Sequence, residues 1–452
     1  MKLYPPDSEL ILYETGFGAD DPFDRLGTSK SLSNLVERIE DPLVIALNGG
    51  WGSGKTWFLK RWIAAHGLEN DGRATTVYFD AFAHDFMDDP LIALTGVIGD
   101  RLPKKAEMKI WKRVKAAAAK LAKPTGRIGL AVATGGVTEL AGPLIDAAAE
   151  AASREIETAA EAFWAREDGR RAAMEQLRAA LVDLTMVKNG EGADPIPLVV
   201  VVDELDRCRP DYALALLEVV KHFFSVPNVH FLLGVNLEAL AHSVRARYGS
   251  GIDAERYLRR FVSLSVQLPD EVGDHDAKPL ALSYFAQTAP QMGIVRDAVD
   301  KFGSHLEMVA QTSQLTMRDV NQLLSQLALI DPEVFTKYFW GYKEIVMSMI
   351  LFRFTSSGLA NKALSNNLSL HEVHDFYGIK PQMLEREDND YNHRAYLISG
   401  LWEYIISGGT GPVNDQKEFA KAFSQFGDGN PRKVLRVVNG VISKFAFPPV
   451  EG

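Results

Sequence analysis

Gly49-Gly50-Trp51-Gly52-Ser53-Gly54-Lys55-Thr56 satisfies the whole phosphate-loop pattern G-x-x-x-x-G-K-[ST]. Before it, Leu43-Val44-Ile45-Ala46-Leu47-Asn48 has the length and β-branched content of a buried parallel strand. After it, Trp57-Phe58-Leu59-Lys60-Arg61-Trp62-Ile63 reads as a helix. Strand, glycine loop and helix therefore stand in the order that phosphate binding requires. The glycines let successive backbone N–H groups turn inward, and the helix N-terminus adds its positive dipole end at the same spot. In this arrangement Lys55 reaches the β- and γ-phosphates and the Thr56 hydroxyl binds Mg²⁺, so Gly49 through Thr56, with Trp57 at the first turn, are the expected nucleotide-binding residues.

The second motif lies far along the chain. Ile196-Pro197-Leu198-Val199-Val200-Val201-Val202-Asp203-Glu204-Leu205-Asp206-Arg207 is an apolar run that ends in acids. A fully apolar strand is expected in a parallel sheet buried on both faces, and ligands bind at the carboxyl ends of such strands. Asp203 is the expected Mg²⁺ ligand, direct or through water, and Glu204 the group that orients or deprotonates the attacking water. Asp206 and Arg207 read as a local ion pair. Further strands are expected at Ala74–Phe79, Val229–Asn236 and Leu264–Leu268. Asn236 ends the second of these, either as a γ-phosphate or water contact or as a turn residue.

About 110 residues separate the second strand from the acidic one, which marks an insertion. It opens with ten Lys or Arg against the single acid Glu107 between Arg101 and Arg127, in a chain of net charge −10. Such a run is a solvated helix face, or a contact for nucleic-acid phosphate or acidic lipid headgroups. Ile128 to Ile145 is apolar but rich in glycine and alanine and interrupted by Glu139, which suits a buried or interfacial helix better than a membrane span. Asp146 to Met186 has helical spacing. From Lys278 onward the chain reads as almost wholly helical, punctuated at Pro290, Pro332, Pro381 and Pro431. His371, His374 and His393 lack zinc-binding spacing. One cysteine, Cys208, excludes an internal disulfide and suits a reducing cytoplasm, and the N-terminus lacks the basic start and apolar core of a secretory signal.

With these parts assembled, the chain resembles the KAP family of P-loop NTPases, which belongs to the class with an extra strand between the two nucleotide motifs. The resemblance is carried by the tryptophan within the loop glycines, by Phe79-Asp80-Ala81-Phe82, by Asp203-Glu204-Leu205-Asp206-Arg207-Cys208 and by Tyr257-Leu258-Arg259-Arg260-Phe261. It covers about residues 20–330. It implies an ATPase of the kind found in bacterial antiphage defence or membrane-associated assemblies. It also implies that Arg259 or Arg260 serves as an arginine finger in a neighbouring subunit, and that Arg318 contacts the γ-phosphate from a helical lid. Where the family often has Asp, this chain has Asn236.

The expected architecture is an α/β P-loop NTPase fold with a five-stranded, mainly parallel sheet, a helical insertion and a helical C-terminal domain. The expected divisions are a lead-in (1–40), a first core part (41–100), the insertion (101–192), a second core part (193–275), a lid (276–330) and a C-terminal domain (331–452). ATP is expected over GTP, because the acidic strand lacks the Asp-x-x-Gly continuation and no Asn-Lys-x-Asp guanine motif occurs. Mg²⁺-dependent ATP hydrolysis driving a switch or assembly is the leading expectation, in a homo-oligomer acting with an effector protein, cytoplasmic or peripheral to the inner membrane. A nucleic-acid-activated ATPase or translocase using residues 101–127 is the second, and an ATP-binding scaffold with little turnover the third.

Overall fold

The computed structural model of the chain describes all residues except 1, 5–9, 19–20, 22, 88, 102–106, 122–170, 187–194, 224, 274–276, 385–389, 411–415, 425–430 and 444–452. The apolar run 128–145 and most of the helical stretch after it lie outside the described residues.

Five strands make one sheet: β1 (Val44–Asn48), β2 (Thr75–Asp80), β3 (Leu198–Asp203), β4 (Val229–Val235) and β5 (Leu264–Gln267). Their order is β2-β3-β4-β1-β5, and every neighbouring pair is parallel. β4 thus lies between β1, which leads into the phosphate loop, and β3, which ends in the acids. Residues of β3 and β4 are buried throughout, as expected of strands covered on both faces. β5 is an edge strand whose residues alternate between half-buried and exposed. A second pair, β6 (Glu271–Val272) and β7 (Lys278–Pro279), is antiparallel. The sequence reading had no strand there.

The two faces of the sheet bury different side chains. Ile45, Leu47, Val199, Val201 and Leu232 meet Leu32 and Val36 of α1 (Leu26–Arg38) and Phe58 and Trp62 of α2 (Lys55–Leu68). The other face carries Val77, Phe79, Val200, Val202, Phe231 and Leu233. A short helix α3 (Ala81–His84) follows β2, and α4 (Pro90–Arg101), α5 (Glu107–Leu121), α6 (described over 171–186), α7 (Pro210–Phe223), α8 (Leu237–Tyr248) and α9 (Ala254–Leu258) complete this layer.

α5 shows how the basic run folds. Ile110, Trp111, Val114, Ala117, Ala118 and Leu121 are buried, while Lys112, Arg113, Lys115 and Lys120 are exposed. Gly99 of α4 makes room for the Trp111 indole, which lies 2.1 Å from where a Cβ on Gly99 would stand. Arg113 pairs with Asp183 of α6 at 2.6 Å. Among the described residues no helix is long and apolar enough to cross a membrane.

The C-terminal helices are α10 (Leu280–Gln291), α11 (Arg296–Val309), α12 (Met317–Ala328), α13 (Glu333–Lys337), α14 (Trp340–Thr355), α15 (Ser357–Leu364), α16 (Leu370–Tyr377), α17 (Asp390–Ile406), α18 (Gln416–Ala422) and α19 (Pro431–Ile442). One apolar cluster runs through them from Ala281 to Ile442. Pro290, expected as a break, sits inside the last turn of α10, where the carbonyl freed by its missing N–H lies near the helix end. Pro431 opens α19, where proline is tolerated. A smaller cluster of Phe23, Leu280 and Met317, with Trp57 and Tyr284 against it, joins the N-terminal segment, α2 and the C-terminal helices beside the phosphate loop.

Candidate nucleotide site

The parallel register brings the carboxyl ends of the central strands level. Asn48 stands opposite Val235, Asp80 opposite Asp203, and Asp203 opposite Gly234. The loop, the acids and Asn236 therefore emerge along one edge.

Gly52 and Gly54 hold φ values of +84° and +82°, a region that disfavours any side chain. Gly52 has a further reason to be glycine: an added Cβ would stand 2.7 Å from Thr316 Oγ1 and 3.0 Å from Arg318 Cβ. The N-terminus of α12 thus abuts the loop, and Met317 N–H donates to the Gly52 carbonyl at 3.1 Å. That N-terminus is secured by a capping box between Thr316 and Asp319. Arg318 comes with it, close enough that its charge is felt at Lys55. The Lys55 ammonium donates to the Gly49 and Gly50 carbonyls at 2.7 and 2.9 Å. Burial lowers its pKa, opposed by the charges of Asp206 and Asp203.

Asp203 is almost fully buried, and burial raises its pKa. Three donors oppose that rise: Thr56, the Tyr78 hydroxyl at 3.0 Å and the Glu204 N–H at 2.9 Å. Gly234 makes the fit possible, since a Cβ there would lie 2.7 Å from Asp203 Oδ1 and 2.4 Å from Leu59. A hydroxyl and a carboxylate side by side at a helix N-terminus form a hard-oxygen donor set. It suits Mg²⁺, which takes one or two protein oxygens and fills its other positions with water and substrate phosphate. Thr56 and Asp203 would hold the ion, which would supply positive charge against the negative charge developing on the phosphates.

Glu204 follows at φ +59°, the left-handed region that costs a residue with a Cβ roughly 1–2 kcal/mol. Its carboxylate is paired with Arg207 at 2.9 Å. Burial raises its pKa, and Arg207 acts against that. The expected Asp206–Arg207 pair is therefore corrected: Arg207 turns back to Glu204, and Asp206 instead accepts from the Trp51 indole N–H at 2.7 Å. The short 3₁₀ turn Leu205–Arg207 sends the two side chains in different directions.

Asn236 is the N-cap of α8, its side-chain oxygen accepting from Glu238 N and Ala239 N at 3.1 and 3.3 Å. Of its two sequence readings, the turn residue is the one seen in these bonds. Trp57 sits on α2 against Phe23 (ring centroids 4.8 Å apart) and Phe17 (5.7 Å), with Arg61 4.6 Å from its ring. Arg259 and Arg260 are exposed and lie elsewhere. Ser263 N–H bonds to the Val44 carbonyl at 2.7 Å, so this segment is at the amino ends of β1 and β5. A strand's length, roughly 15 Å, separates it from the chain's own loop.

Sequence reading missed Tyr78, Gly234, Arg25 and the partners of Asp206 and Arg207. Gly234 had a signal, an isolated glycine within an apolar strand. Arg25 had none. It is buried, its Nη2 donates to the Pro269 and Ser53 carbonyls at 2.9 and 3.4 Å, and burial lowers its pKa to about 10 against Asp270 and Asp21.

Comparisons with known proteins bear on this arrangement. The chain is 23% identical over 335 residues to the phage T7 exclusion protein of Escherichia coli (strain K12), an alignment that takes in 69% of this chain and 42% of that protein. The chain thus spans less than half the length of this curated relative. Among solved structures, the Aeropyrum pernix ORC2 protein in its ADPNP–ADP complexes aligns over 93% of this chain and 94% of its own at 14% identity, with a TM-score of 0.31. Cdc6p from Pyrobaculum aerophilum aligns over 98% and 99% at 12% identity, with a TM-score of 0.39. The profile of the KAP family P-loop domain matches residues 27–334, which include the phosphate loop, the acidic strand and α12, and the chain belongs to that family of P-loop NTPases.

Proposed function

We propose that the protein is an Mg²⁺-dependent ATPase whose hydrolysis cycle drives a conformational switch. The observation that carries this is the hydrogen-bonded group at the strand ends: the Lys55 ammonium over the loop, the Thr56 hydroxyl on the Asp203 carboxylate, and Glu204 next in the chain. Gly49 to Thr56 bind the phosphates, Thr56 and Asp203 hold Mg²⁺, and Glu204 activates water. Arg318, carried on α12 against the loop, senses the γ-phosphate, so that nucleotide state moves the C-terminal helices. Asn236 orients the water only through its amide nitrogen, because its oxygen caps α8. Arg259 or Arg260, remote from its own loop, completes the site of a second copy, which makes the working form a homo-oligomer. The likeness to a phage exclusion protein supports a role in antiphage defence, in which a partner protein supplies the effector chemistry.

A second reading, a nucleic-acid-activated ATPase, is favoured by one observation: Lys112, Lys115 and Lys120 stand exposed on α5, as the phosphate backbone or an anionic membrane surface would need. A pure ATP-binding scaffold does not need Glu204. The test is ATP turnover of wild type and Glu204→Gln, alone and with DNA, RNA or anionic liposomes at two salt concentrations. Glu204→Gln is expected to keep ATP affinity and lose at least about 10²-fold in kcat. Unchanged turnover in Glu204→Gln would remove Glu204 as the base, and stimulation by nucleic acid that fades with salt would select the second reading.

A further inference from the structure

We infer that Arg207 is a positioning residue that restrains Glu204, and that Trp51 and Asp206 tie this restraint to the phosphate loop. The inference rests on Glu204 being the water-activating group. Three observations carry it. The Arg207 guanidinium is paired with one oxygen of the Glu204 carboxylate at 2.9 Å, which holds the carboxylate toward the cation rather than toward a water. Arg207 is 38% exposed, which leaves it free to move, while the Glu204 side chain is only 19% exposed. Asp206, the residue before Arg207 in the same 3₁₀ turn, is bonded to the Trp51 indole at 2.7 Å, and Trp51 lies between Gly50 and Gly52 of the phosphate loop.

These parts make a continuous link from the loop to the acid. The loop moves Trp51, Trp51 holds Asp206, and the turn sets where Arg207 points. A loop rearranged around phosphate therefore shifts Trp51, Asp206 and the turn that aims Arg207. When that shift parts Arg207 from Glu204, the carboxylate is released to accept a hydrogen bond from water. In ATP-bound sites where the pair persists Glu204 stays out of service, so the pair lowers kcat.

Steady-state ATP hydrolysis of purified full-length Arg207→Ala, Arg207→Lys and Trp51→Phe tests this. A half-exposed ion pair of this kind biases its equilibrium by roughly threefold to fivefold. Arg207→Ala is expected to raise kcat by about that factor with KM changed less than about twofold. Arg207→Lys keeps the cation and is expected to return kcat to the wild-type value. Trp51→Phe, which removes only the N–H donor, is expected to reproduce part of the rise. A fall in kcat, or no change, in Arg207→Ala would overturn the restraint. Glu204→Gln separates the two levels. If it retains turnover, the assignment of the base is wrong. If it is inactive and Arg207→Ala/Glu204→Gln is equally inactive, the base stands and only the Arg207 result judges the restraint.

Discussion

Asp203 illustrates how much of the site rests on single side chains brought from elsewhere. A buried carboxylate needs donors to remain ionised. Here one comes from α2, one from β2 and one from the next peptide. The Tyr78 bond is the one that can be removed with no change of shape. A hydrogen bond to a charged group contributes roughly 1.5–3 kcal/mol. Tyr78→Phe is therefore expected to raise the Mg²⁺ concentration for half-maximal turnover by about tenfold or more, with ATP affinity in the absence of Mg²⁺ unchanged. A Mg²⁺ titration of turnover checks this. An unchanged Mg²⁺ requirement would mean that Thr56 and the Glu204 N–H hold Asp203 by themselves. The Tyr78 role was invisible in the sequence because Tyr78 and Asp203 are 125 residues apart and meet only through β2–β3 register.

Among the elements, α12 brings the C-terminal helices against the phosphate loop. Its N-terminus reaches the loop through the Met317–Gly52 bond, and its first turn is ordered by the Thr316–Asp319 box. Thr316→Ala removes the cap at a cost of about 1 kcal/mol. The same change loosens the turn that carries Arg318, so a lower melting temperature together with a raised KM for ATP is the expected result. A stability loss with unchanged KM would place Arg318 outside the phosphate's reach. A second element-level device lies in the C-terminal core. His305 on α11 bonds Glu344 on α14 at 2.9 Å and the Tyr377 hydroxyl on α16 at 2.8 Å, and Lys301 pairs with Glu344 at 2.8 Å. Burial alone would raise the pKa of Glu344, yet the His305 hydrogen bond and the charges of His305 and Lys301 outweigh it and hold the carboxyl near pKa 2. A carboxyl depressed in the folded state stabilises the fold fully above its unfolded pKa of about 4.3, and that contribution is lost as pH falls through the folded value. Urea unfolding at several pH values is expected to show stability falling between about pH 5 and 2, with a shallower slope in Glu344→Gln.

At the scale of the whole molecule, the two arginines before β5 and the phosphate loop lie at opposite ends of the strands, so one copy cannot bring them together. Mixing two variants tests whether another copy does. Arg259→Ala/Arg260→Ala and Glu204→Gln are each expected to lose turnover, by roughly 10³-fold or more for a lost arginine finger. Their mixture is expected to recover a measurable fraction, because mixed assemblies contain sites with an intact acid and an intact neighbour. No recovery, with turnover independent of protein concentration, would leave the arginines to the surface of a monomer. The sequence by itself determined the nucleotide fold and its motifs, because those signals are local. The glycine loop and the apolar run ending in Asp203-Glu204 each lie within one short window, and backbone and burial physics act there directly. Tertiary structure alone decided the partners. Trp51 meets Asp206 across 155 residues, Tyr78 meets Asp203 across 125, and Thr316 seats α12 on Gly52. Hydrogen bonds and ion pairs have a reach of only a few ångströms, so which groups pair depends on strand register and helix docking, and no local stretch of sequence carries that information.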